Sequence, residues 1–147
     1  MDLTDPGVSL ALARQRASRV SALEVDVQFR IPADPLTPIA GETTLRFTLT
    51  DADAPLLLDF APDHGDAPRA LFVNDVAVDP NPENGHLRLP ADALRPGANT
   101  VTATFRAGSV PLNRRDTHLY SIFVPSRAHE ALPCFDQPDL KARWQLT

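Results

Sequence analysis

Proline limits what this chain can fold into more than any other residue. The sequence holds 15 prolines against 6 glycines, spread from Pro6 to Pro138. Proline is kept out of helix interiors and central strands, because it lacks an amide hydrogen and its ring clashes with the preceding turn. The prolines therefore cut the chain into short pieces, and short pieces joined by turns favour an all-β domain. At 147 residues and 43% apolar, the chain is the size of one ordinary domain and long enough to bury a core. A charged fraction of 22% fits a globular chain and not a disordered one.

The first element reads as a helix. Thr4 or Asp5 caps it, and Pro6 suits its first turn. Leu10, Ala13, Ala17 and Val20 recur at helical spacing, with Arg14, Arg16 and Arg19 on the other side, and the helix ends near Val20. The period then becomes two. Leu23, Val25, Val27, Phe29 and Ile31 alternate with polar residues, as do Leu45, Phe47 and Leu49, and later Val101, Ala103 and Phe105. Pro55 to Phe60 is a short apolar run that suits a strand buried on both faces. Asn74-Asp75 between Val73 and Val76 reads as a tight hairpin, since both residues tolerate positive φ. Leu87 and Leu89 mark another short strand.

Beyond Gly108 the texture changes. Val110 to Arg115 reads as a loop, His118 to Val124 as a strand ended by Pro125, Ala131 to Asp139 as irregular, and Lys141 to Thr147 as a strand. The expected fold is a twisted, mainly antiparallel β-sandwich or saddle with one short N-terminal helix. Leu23, Val25, Val27, Leu45, Phe47, Leu49, Val101 and Phe105 should share a core.

Charge and cysteine usage exclude several classes. The net charge is −5, with basic residues scattered among acids, so nucleic acid is not an expected partner. Cys134 is the one cysteine, which rules out an intrachain disulfide. The first twelve residues lack a signal-peptide pattern, and no apolar run approaches the roughly 20 residues of a spanning helix. The expected location is cytoplasmic, with no membrane partner.

No catalytic constellation stands out. His64, His86, His118 and His129 never fall four apart, so the helical His-Glu-x-x-His zinc arrangement is absent. They read as surface or half-buried side chains. Cys134 has no Cys-x-x-Cys partner and reads as a small buried apolar residue. Asp116, Asp136 and Asp139 fit turn or capping roles better than an acid/base set. The fragment itself calls for no cofactor.

The informative stretch is Leu132-Pro133-Cys134-Phe135-Asp136-Gln137-Pro138-Asp139-Leu140-Lys141-Ala142-Arg143-Trp144. It resembles a signature of the aminopeptidase N family of zinc metallopeptidases, Phe-Pro-Cys-Phe-Asp-Glu/Gln-Pro followed by Lys-Ala and an aromatic residue. Arg19-Val20-Ser21, Ile39-Ala40-Gly41 and Leu94 to Val101 resemble the family more loosely. The resemblance implies an N-terminal β domain covering residues 1–147, cut short before a thermolysin-like catalytic domain. Zinc would belong to that parent enzyme, where it polarises the scissile carbonyl and activates water. The implied partners are the catalytic domain of the same polypeptide and peptide substrates. Cys134, Phe135, Asp136, Gln137 and Pro138 would form part of the junction between the domains.

In such enzymes the N-terminal domain lends the active site a loop whose Gln and Glu hold the substrate's free amine. The resemblance places Ile122, Phe123 and Val124 in that substrate-binding loop. Ile122 and Val124 stand where the Gln and Glu are usual, so the anchoring carboxylate is missing. Two alternatives remain open at this point. One is a free-standing β-sandwich interaction module. The other is a parent acting as an epoxide hydrolase, as one branch of the family does.

Overall fold

The computed structural model describes residues 5–147. The helix α1 spans Leu10–Arg19, and its N-cap is Ser9, whose hydroxyl accepts from the Leu12 amide at 3.1 Å. This corrects the expected start. Thr4 lies outside the described residues. Asp5 and Pro6 precede Gly7, which takes a φ of +81° that no helix accommodates. The buried face also differs from the apolar side expected, although Val20 is buried and Arg14 exposed as that side implies. Leu12, Arg16 and Arg19 are buried, whereas Leu10 is 64% exposed and Ala17 is exposed. Helical spacing is the same for both faces, so the arginines turn inward only because partners there satisfy them.

Strand β1 (Val20–Arg30) continues directly from the helix, with a register shift between Ser21 and Glu24 where Ala22 takes a φ of 50°. It pairs antiparallel with β2 (Ala40–Leu49). Further along, β3 (Leu56–Asp59) is buried at every position, as its unbroken apolar run implies. Strands β4 (Ala70–Val73) and β5 (Val76–Ala77) form the expected hairpin, and Asn74 and Asp75 both have positive φ, 49° and 66°. Strand β6 (His86–Leu89) pairs with β3. Strand β7 (Gly97–Arg106) matches β2 without a break from Ala40↔Arg106 to Leu49↔Gly97.

The C-terminal third departs from expectation. Residues 112–114 form a strand, β8 (Leu112–Arg114), where a loop was expected. Its partner β9 covers only Leu119–Ser121, so Ile122 to Val124 lie beyond it. The Arg114 guanidinium stabilises this hairpin by donating to the carbonyls of Pro32, Asp34 and Thr37, at 2.7–2.8 Å. A 3₁₀ turn follows at Ala128–Glu130. Strand β10 (Ala142–Leu146) then lies parallel to β1 at the sheet edge.

The main sheet runs β10-β1-β2-β7-β4-β5, and two-stranded sheets are formed by β3 with β6 and by β8 with β9. The domain is all-β, with α1 as the α-helix among the described residues. All eight residues expected in the core are buried in one cluster, joined by Leu56, Leu58, Phe60, Leu87, Leu89, Leu132 and Phe135. Gly41 is required for this packing, because a Cβ there would sit 2.4 Å from the Phe105 ring.

Candidate functional site

The most concentrated chemistry in the molecule lies around Asp59, the last residue of β3. Its neighbours Leu56, Leu57, Leu58 and Phe60 are all buried, so the chain carries a carboxylate into the core. Such a group is tolerated only when paired and hydrogen-bonded. Asp59 Oδ1 accepts from Arg16 Nη2 at 2.5 Å and from His86 Nδ1 at 2.9 Å. Its Oδ2 accepts from Arg16 Nη1 and from the Asp136 amide, both at 2.9 Å. Arg16 further donates from Nε and Nη2 to the Leu57 carbonyl and lies 5.4 Å over the Phe135 ring. Burial pushes the Asp59 carboxyl up. The hydrogen bonds from His86 and Arg16 outweigh it and hold the group below its ordinary value.

A second carboxylate–histidine pair adjoins the first. The Asp136 Oδ2 accepts from the His129 amide at 3.1 Å and bonds His129 Nδ1 at 2.6 Å. That bond raises the imidazole above its ordinary value despite burial. His86 is raised in the same way by its bond to Asp59. Backbone bonds align these parts: Asp59 and Cys134 exchange amide–carbonyl bonds, and the Ala61 amide donates to the His129 carbonyl. His86 and His129 consequently line one cavity of about 290 Å³ together with Pro6, Val8, Asn84 and Ser126. His86, read from the sequence as surface or half-buried, is in fact fully buried. Its place opposite Asp59 in the β3–β6 ladder supplies the partner that makes this possible.

The signature segment plugs into this cluster. Cys134, Phe135 and Gln137 are buried against the chain's own core, Asp136 is half-buried, and Pro138 is exposed. Gln137 Nε2 donates to the Ala13 carbonyl, tying the segment to α1. Burial pushes the Cys134 thiol well up, which leaves it protonated and unreactive. The loop Ile122–Val124 has a different character. Ile122 is 44% exposed and Val124 75%, whereas Phe123 packs against the core. The loop is held by the Ile122 amide on the Pro111 carbonyl and the Arg127 amide on the Phe123 carbonyl, both 2.9 Å.

Sequence reasoning did not connect Arg16, Asp59 and His86. The one available signal was the carboxylate inside the apolar run from Leu56 to Phe60, which demands a buried cation. Among the described residues, no group of three or more His, Cys, Asp or Glu is placed to hold a metal ion. Among the described residues, likewise, no helix is long and apolar enough to cross a membrane.

No family model matches the chain, and no curated protein matches it in sequence. Solved structures do match its fold. A two-domain M1 zinc metallopeptidase variant bound to L-arginine superposes with a TM-score of 0.65 at 18% identity, covering 87% of this chain. An M1 zinc metallopeptidase from Deinococcus radiodurans gives 0.64 at 18% identity, again over 87% of this chain. A variant from Deinococcus radiodurans bound to a Tyr-Ser-Ala substrate gives 0.61 at the same identity and coverage. At this identity the likeness establishes the fold. The match covers 32% of each of those chains, so this chain spans about a third of their length.

Proposed function

We propose that this chain is the N-terminal β domain of a zinc metallopeptidase of the M1, aminopeptidase N type, non-catalytic by itself. The observation that carries this reading is the agreement of two independent features. The fold is that of M1 metallopeptidase structures over 87% of the chain, and the stretch from Leu132 to Trp144 resembles that family's signature. The partner is a catalytic domain in the same polypeptide, which would supply the zinc and the general base. The substrates are peptides trimmed from the N-terminus.

Within that reading, Ile122 to Val124 line the pocket for the first substrate residue. The exposure of Ile122 and Val124 on a loop pinned by Phe123 supports this role. An apolar lining cannot anchor an ammonium, so the amine is held by carboxylates outside this loop. Pro138 and the exposed part of the segment after it face the junction with the catalytic domain.

The test uses the full-length enzyme and the variant Val124→Glu. A carboxylate there should pair with the substrate ammonium and change KM by about tenfold to a hundredfold for a free-amine substrate, but not for its acetylated form. An unchanged ratio between the two substrates would reject the pocket assignment. A polypeptide with no His-Glu-x-x-His beyond residue 147 would instead leave a free-standing interaction module.

A further inference from the structure

Residues 5–8 run as a strap before Ser9 caps α1, and Pro6, Gly7 and Val8 form one wall of the cavity that His86 and His129 line. Among the described residues, one hydrogen bond ties this strap to the body, from His86 Nε2 to the Asp5 carbonyl at 3.0 Å. The other ring nitrogen, Nδ1, faces Asp59 Oδ1 at 2.9 Å. Both partners are pure acceptors, a carbonyl and a carboxylate engaged by Arg16. A neutral imidazole carries one N–H and can satisfy only one of them. The ring as placed therefore requires two protons, and the strap contact exists only in the imidazolium form.

We propose that residues 5–8 are a proton-gated strap: the His86 imidazolium pins the Asp5 carbonyl and holds the strap as a wall of the cavity, and loss of one proton frees it. The remaining proton stays on Nδ1, because the charged Asp59 acceptor outcompetes a neutral carbonyl. The groups facing His86 are Asp59 from β3, Arg16 from α1 and the Asp5 carbonyl. Arg16 opposes the charged ring, but its bidentate pairing with Asp59 offsets this. His129 and Asp136 lie on the segment after β9 and bond each other, with no hydrogen bond to the strap among the described residues.

The sign follows from the direction of the shift. Asp59 raises His86 above its ordinary value of 6.5. The strap contact is complete below that value and is lost as pH rises through the higher folded-state one. The pinned strap thus belongs to the acidic side of that folded-state value, and the freed strap to its alkaline side.

The test is a proton titration by NMR. In the wild-type chain, the Gly7 and Val8 amides should shift with the same midpoint as the His86 Cε1 proton. His86→Gln should abolish the step, and His129→Gln should leave it in place. Strap signals that stay flat while His86 titrates, or a step that disappears with His129→Gln, would overturn the proposal. The wild-type titration decides the matter even where His86→Gln fails to fold.

Discussion

The cluster around Asp59 and the loop at Ile122–Val124 sit in one domain and treat polarity in opposite ways. Around Asp59, charges are buried and both carboxylate oxygens are fully engaged, by Arg16, His86 and the Asp136 amide. At the loop, two apolar side chains face solvent and only Phe123 reaches the core. The residues that look most like catalytic groups are thus committed to holding the fold together. The exposed side chains of the loop carry no charge. Exposure separates the two, because a satisfied buried network rigidifies a core and leaves no valence for a ligand.

The comparison breaks most visibly at Arg16. Arg16→Ala strands the Asp59 carboxylate in the core, and the expected loss is about 3–5 kcal/mol, read as a drop in the urea midpoint. Replacing both partners, Arg16→Met with Asp59→Leu, should cost less, because no carboxylate is stranded and His86, deprived of Asp59, can shed its proton. A double variant as unstable as the single one would show that packing, and not the charge pair, dominates here.

A middle-sized effect is expected at Gly108. A Cβ there would lie 1.7 Å from the Glu130 carbonyl oxygen, a backbone atom that moves only with the 3₁₀ turn. Gly108→Ala should therefore destabilise by about 1–3 kcal/mol. Thermal melts would check this, and an unchanged melting temperature would mean that the turn adjusts freely.

The smallest change is expected at the loop. Val124 is 75% exposed, so Val124→Glu should alter stability by no more than about 0.5 kcal/mol, in contrast to its expected effect on substrate binding. A melt as depressed as that of Arg16→Ala would erase the distinction between the two regions.

How legible each region is in the sequence follows the same division. Period-two alternation exposed β1, β2 and β7, because each has one face on the core, and Asn74-Asp75 marked its hairpin, because turn chemistry is local. The three-residue strand β8 was too short for any period to show. The face of α1 was misread because arginine spacing does not reveal a buried acceptor 43 residues away. Asp59, His86 and Asp136 come from three further segments, and only the folded chain brings them together. The exposed state of Ile122 and Val124 was hidden for a related reason: both fit a strand pattern that ends at Ser121.

Two contacts govern the order in which the chain acquires its shape. Gln137 reaches back to the Ala13 carbonyl, and the Asp136 amide reaches back to Asp59. The first helix therefore waits for nearly the last described residues before its inner face is closed. A chain built on such distant pairings folds slowly, because loop closure must precede the contacts that reward it. During synthesis from the amino end, the Asp59 carboxylate emerges long before the segment that completes its cage. The order of emergence makes the signature segment a closing clasp, and a nascent chain lacking it would hold a helix only half docked.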